Sequence, residues 1–289
     1  MSTFIIIPDT QHIMRENEPF LERIESGYRH LVETRPIDAV VHLGDIVQEG
    51  GATYDEFRTA RSLFAPFEKT GSPVLYATGN HDFDDVSQNA RDNERDLHTF
   101  HHFFGGSRVS DDERYIGSFE RGRTENSAFL VDGIVVLITE FAPRPAVLDW
   151  AKGLAHDYAM YPVVYVTHAY LYDDGEPSRP GCRHHPSTIP QTRDGADGET
   201  IWNEWLRDTS NVIATFSGHH VDRFHAESIA TTTEGTRIVQ CFQNWQKEAR
   251  GGGGKVRIAT FSRNRLWLTL ETYDPVTRET SDVVHYFRK

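Results

Sequence analysis

Cysteine is scarce in this 289-residue chain, where Cys182 and Cys241 are the only two. Two thiols cannot build a disulfide framework, and neither belongs to a Cys-x-x-Cys pair of the kind that holds zinc. They read as free thiols. Long hydrophobic runs are missing too: residues 4–7 are apolar, but they run straight into Pro8-Asp9 and are far shorter than a membrane span or the core of a secretion signal. A reduced cytoplasm, with no membrane partner, is the expected setting.

Positive charge is in deficit, with 30 Lys and Arg against 43 Asp and Glu and a net charge of -13. Such a surface repels extended nucleic acid and anionic lipid. A small phosphate can still be held where basic side chains or metal ions supply local cations. There is no internal repeat and no low-complexity tract longer than residues 251–254, and apolar residues are plentiful enough for a sizeable core. One domain over residues 1–289 fits this length.

The β-branched residues 3–7 read as a buried strand that delivers Asp9-Thr10-Gln11-His12 to a loop. Phe20, Leu21, Ile24, Tyr28, Leu31 and Val32 then recur with helical period up to Pro36. Residues 39–43 form a second strand ending at Gly44-Asp45. A helix through Tyr54, Phe57, Ala60, Phe64 and Phe67 leads to a third strand, residues 73–77, which ends at Thr78-Gly79-Asn80-His81-Asp82. Such alternation predicts a parallel sheet whose ligands gather at the carboxyl ends of the strands.

Further on, strands 127–131 and 134–139 join at a tight Asp132-Gly133 turn. A helix over 145–156 and a strand over 163–167 deliver His168. After a short helix around Ile201, Trp202, Trp205 and Leu206, strand 212–216 delivers Ser217-Gly218-His219-His220. Strands at 224–229, 237–242, 256–261, 266–272 and 283–287 make the last third a mainly antiparallel sheet. Two aperiodic stretches, 82–123 with a helix near 94–104 and 171–198, are too long for turns and read as cap or insert loops. The fold class is α/β, with two packed mixed β-sheets flanked by helices.

Five strand ends thus present Asp9, Asp45, Asn80, His168 and His219, oxygen and imidazole donors suited to one or two divalent cations. In chain order the blocks are Asp9-Thr10-Gln11, Gly44-Asp45, Gly79-Asn80-His81-Asp82, His168 and Gly218-His219-His220-Val221. Across the chain this set resembles the calcineurin-like metallophosphoesterases, whose pattern is Asp-x-His, Gly-Asp, Gly-Asn-His-Asp/Glu, a lone His after a strand, and Gly-His-x-His. The resemblance implies an αββα sandwich with two divalent ions, Mn or Fe, with Zn or Mg as alternatives. It implies that Asp45 bridges them, that Asn80, His168 and His219 complete the second site, and that Asp9 serves the first. The implied reaction is in-line attack of a metal-bound hydroxide on a small-molecule phosphodiester or phosphomonoester, with His81 protonating the leaving oxygen.

Three positions depart from that pattern. Gln11 stands where the first motif has His, as in a branch of the family with Asp-x-Gln, which implies ligation through the amide oxygen and a shift from Zn toward Mn or Mg. Val221 stands where the last motif has its second His, leaving His12, His220 or Asp222 as replacement ligands, the last two flanking the vacated place. Gln48 replaces an Asp that often orients the catalytic His, with Glu49 as an alternative partner. A first site poor in imidazole favours a diester over the dianion of a monoester.

In the second loop Arg179, Arg183, His184, His185 and Arg193 offer either a cap for phosphate or a solvated basic surface. Residues 251–254 read as a hairpin loop, Trp150 as core, and His98, His101 and His102 as ordinary helix surface for want of an acidic partner in register. The rival reading is a metal- or phosphate-binding protein without turnover, against which the retained His81 speaks.

Overall fold

The computed structural model describes residues 1–105 and 107–288. Strand β1 (Ser2–Ile7) leads through α1 (Glu18–Thr34) to β2 (Ala39–His42), and α2 (Tyr54–Glu68) leads to β3 (Val74–Tyr76). These strands pair in parallel, Ile5 with Val40 and Val41 with Leu75. Helix α1 starts where Asn17 accepts the N–H of Phe20, and it buries Phe20, Ile24, Tyr28 and Leu31 at helical spacing. β1 is buried on both faces: Ile5 and Ile7 meet the helices, while Phe4 and Ile6 point the other way.

Next come α3 (His98–Phe104), α4 (Ser107–Ser110), β4 (Tyr115–Ser118), β5 (Ser127–Val131), β6 (Ile134–Ile138), α5 (Pro145–Asp157), β7 (Val163–Val166), α6 (Gly198–Glu204) and β8 (Val212–Ser217). The chain closes with β9 (His225–Thr231), β10 (Arg237–Gln243), β11 (Val256–Phe261), β12 (Trp267–Asp274) and β13 (Glu279–Phe287). One sheet has the order β13-β12-β11-β1-β2-β3, the other β4-β5-β6-β7-β8-β10-β9. Phe4, Ile6 and Val41 of the first sheet meet Val136, Val164 and Phe216 of the second in a shared apolar layer. This is the two-sheet α/β sandwich expected from the sequence. No helix among the described residues is long and apolar enough to cross a membrane.

Three expectations need correction. The last third is not one antiparallel sheet: β9 and β10 extend the second sheet, with β10 parallel to β8, while β11 to β13 extend the first from β1. Residues 251–254 therefore belong to a crossover between sheets and not to a hairpin. Arg250 through Gly254 all have positive φ, and a Cβ at Gly252 would lie 2.6 Å from the Trp245 carbonyl oxygen, so glycine is required there. Finally, His101 is not an unpartnered helix surface, because Glu125 approaches its Nε2 at 3.0 Å from a segment distant in sequence. β4 went unnoticed within 82–123 because it is half-buried throughout and shows no alternation.

Candidate metal centre

Because β1, β2 and β3 run in parallel, as do β6, β7 and β8, their carboxyl ends share a rim of the sandwich. Asp9, Asp45, His168 and His219 all sit just past such ends and are buried. Close approach of backbone to carboxylate explains the glycines beside them. A Cβ at Gly79 would fall 2.2 Å from Asp45 Oδ1, and one at Gly218 would fall 2.2 Å from Asp9 Oδ2.

Backbone carbonyls orient both histidines. His168 Nδ1–H donates to the Leu43 carbonyl at 2.8 Å, and His219 Nε2–H donates to the His184 carbonyl at 2.7 Å. The remaining ring nitrogens, His168 Nε2 and His219 Nδ1, face each other at 3.3 Å. Asp45 Oδ2 lies 3.2 Å from His168 Nε2, and Asp9 Oδ1 lies 3.9 Å from it. Phe141 closes the cluster, its ring 5.4 Å from that of His168 and 5.0 Å from that of His219.

Inward nitrogens beside buried carboxylates call for a positive charge. Burial would lower the pKa of His168, but Asp45 and Asp9 outweigh it and raise it to about 9. His219, losing solvation next to His168, falls to about 3. Burial raises Asp9 to about 7 against the pull of His168, whereas His168 and His81 hold Asp45 well below the usual range despite its burial. The cluster accommodates one added charge.

A divalent ion fits that demand. Asp45, His168 and His219 each offer a donor atom within 4.8 Å of the others. Asn80 Oδ1 and Gln11 Oε1 are buried carbonyl oxygens without a hydrogen-bond partner, a costly state that a cation would relieve. Gln11 and Asn80 line one cleft with Asp45, and Thr10 and Gln11 both donate their N–H to the Asp45 carbonyl at 3.0 Å, tying the two loops together.

His81 borders the same cleft of roughly 190 Å³. Its peptide N–H donates to Asp45 Oδ1 at 2.8 Å, and its Nδ1–H donates to the Gln48 carbonyl at 2.9 Å. The backbone thus takes the place of the missing carboxylate, while the Gln48 side-chain amide lies 3.1 Å from the same nitrogen. Glu49 is occupied by Arg15.

Of the other sequence candidates, His184 lines the cleft, as does His12, whose Nδ1–H donates to the Gln246 carbonyl. Val221 forms part of the wall. His220 is buried beside Tyr172, with ring centroids 4.6 Å apart. Asp222 and Arg183 are exposed and pair with each other at 2.8 Å. Arg179 pairs with Asp174 and borders a separate cavity of roughly 450 Å³ beside Trp202. His185 pairs with Asp197 and Arg193 with Asp92.

Sequence reasoning missed three residues here, Gln246, Lys247 and His42, and gave Asp82 no particular role. Gln246 and Lys247 line the cleft from the loop after β10, where no motif marks them. Asp82 receives the N–H groups of Gly79 and Ile46, and its place in Gly-Asn-His-Asp was the available signal. His42, neutral because burial pushes it down to about 3, accepts from Gly44 N–H and donates to Thr10 Oγ1.

A buried Asp–His cluster with unpartnered amide oxygens, set at the parallel strand ends of an α/β sandwich, forms a candidate metal centre. The sequence profile of the calcineurin-like phosphoesterases matches residues 2–223, and the chain belongs to that family of phosphoester hydrolases. Among solved structures it is similar to a dimetal phosphatase from Danio rerio (TM-score 0.57, 11% identity, covering 100% of this chain and 99% of that one). It is also similar to GAP50, the anchor in the inner membrane complex of Plasmodium (TM-score 0.53, 9% identity, covering 100% and 89%). At these identities the likeness is one of fold. Among curated proteins no sequence matches.

Proposed function

We propose that this chain hydrolyses a small-molecule phosphodiester, with a phosphomonoester as the second candidate, and that His81 protonates the leaving oxygen. The observation that carries this reading is the placement of His81, pinned through its own N–H to Asp45 and through Nδ1–H to the Gln48 carbonyl. That arrangement leaves Nε2 as the nitrogen to serve the cleft. Divalent ions, Mn or Fe in our reading, held by Asp45, Asn80, His168 and His219 and by Asp9 and Gln11, would supply Lewis-acid charge and an ionised water. As the ester P–O bond breaks, the imidazolium gives its Nε2 proton to the departing oxygen and is left neutral.

A diester is favoured because Val221 contributes no ligand, and the dianion of a monoester depends more heavily on the charge of that subsite. The cleft's small volume and the net charge of -13 favour a small molecule over extended nucleic acid. The second reading, a metal-binding protein without turnover, is favoured by the same Val221.

Metal-stripped protein, titrated with Mn2+ against chromogenic phosphodiester and phosphomonoester substrates, decides between them. Turnover that appears with metal, disappears in Asn80→Ala and falls roughly 10²–10⁴-fold in His81→Ala is the expected result. Tight metal binding without turnover on either substrate would leave the second reading standing.

A further inference from the structure

We propose that Gln246 is a positioning residue for a first metal subsite that includes the oxygen donors Asp9, Asp45 and Gln11, and that it acts by locking the Gln11 amide with its oxygen free. The proposal rests on the reading of the centre as a two-ion site.

Gln11 and Gln246 are both buried. Gln11 Nε2 donates to Gln246 Oε1, across 235 positions of sequence. That bond commits the nitrogen of the Gln11 amide and leaves Oε1, on the other side of the same carbon, buried without a partner. The main chain of Gln246 is itself held: its peptide N–H donates to Asn244 Oδ1 at 2.9 Å, and its peptide carbonyl accepts from His12 Nδ1 at 3.0 Å. An amide without such an anchor can turn over and present its N–H groups, which repel a cation. The acceptor on Gln246 therefore decides which face of Gln11 an ion would meet.

Neither His220 nor Asp222 stands ready in place of the family's second histidine, and of the imidazoles that line the cleft His12 has its Nδ1 bound to the Gln246 carbonyl. Val221 lines the cleft where that ring would be, His220 is packed beside Tyr172, and Asp222 is paired with Arg183. Among the described residues the one close cluster of charged or imidazole donors is Asp45, His168 and His219. The two subsites therefore differ in chemistry. The one with His168 and His219 suits Zn, Mn or Fe, whereas the subsite with the oxygens of Asp9, Asp45 and Gln11 prefers a harder ion such as Mn2+ or Mg2+.

Calorimetric titration of metal-stripped protein with Mn2+ tests this. Wild-type protein should show a tight and a weaker class of site. Gln246→Met, similar in volume but without the acceptor, should weaken only the weaker class, by roughly 10–100-fold. In a Gln11→Ala background the same substitution should add nothing, since its effect passes through Gln11. Unchanged affinity in Gln246→Met, an equal loss in both backgrounds, or a single class of site in the wild type would each overturn the proposal. If the unfolding temperature shows that methionine disturbs the fold, Gln246→Ala repeats the cycle. The readout is binding, so two classes of site without turnover would sink the proposed hydrolysis and leave this inference intact, while turnover with one class would do the reverse.

Discussion

The carboxylate of Asp82 accepts the peptide N–H of Ile46 at 2.8 Å, joining loops that lie 36 positions apart. Its other oxygen accepts the N–H of Gly79 at 2.8 Å. One buried side chain thereby sets the loop of Asp45 against the loop of Asn80 and His81. Asp82→Asn would turn an NH2 group toward one of those N–H donors, and we expect it to lower stability by about 1–3 kcal/mol. Urea denaturation measures the loss. An unchanged midpoint would mean that the loops hold their places without this bond.

Metal-free protein should lose stability as pH rises from about 6.5 to 9. His168 has a folded pKa raised to about 9, above its ordinary 6.5. Its contribution is thus complete below pH 6.5 and is lost as pH passes through 9. Asp9 and Asp82, each raised from an ordinary 3.8 to about 7 chiefly by burial, add an earlier fall between about pH 4 and 7, because ionising them in the folded state is unfavourable. Mn2+ should flatten the curve by taking the proton's place. Unfolding temperatures recorded with EDTA and with Mn2+ check this, and a flat EDTA curve would speak against a protonated His168.

Gly218→Ala should be damaging out of proportion to its size. The new Cβ would fall 2.2 Å from Asp9 Oδ2, so Asp9 must move, and we expect a cost of about 1–3 kcal/mol together with weaker metal binding. Gly153 on α5 has nothing within 4 Å of such a Cβ and serves as the control. Gly153→Ala should leave metal binding alone and stabilise the helix by about 0.4–1 kcal/mol.

Gln48→Asp should move the basic limb of the pH–rate profile upward. A carboxylate near His81 Nδ1 stabilises imidazolium better than the amide now 3.1 Å away. Gln48→Ala, by contrast, leaves the backbone carbonyl that accepts Nδ1–H, so its effect on kcat should be small. A large loss in Gln48→Ala would show that the side chain, and not the carbonyl, orients the ring.

The strand ends were readable because each pairs a short apolar run with a turn and a donor, as at Ile7 to Asp9 or Val166 to His168. The glycines at 79 and 218 were visible as turn residues, but their tight approach to Asp45 and Asp9 was not. Gln246 lies in Asn244-Trp245-Gln246-Lys247, a stretch with no period and no motif, and only its bond to Gln11 gives it meaning. Glu125 near His101 was hidden for the same reason.

By itself, the sequence determined which segments become buried strands and which donors stand at their ends, because apolar periodicity and turn chemistry act over a few residues. Tertiary structure alone decided that β9 and β10 join one sheet while β11 to β13 join the other. It also decided that Gln48 orients His81 through its carbonyl and that Gln246 reaches Gln11. Those outcomes depend on strand order and loop path, which bring side chains within 3 Å across tens to hundreds of residues. No local preference specifies such a distance.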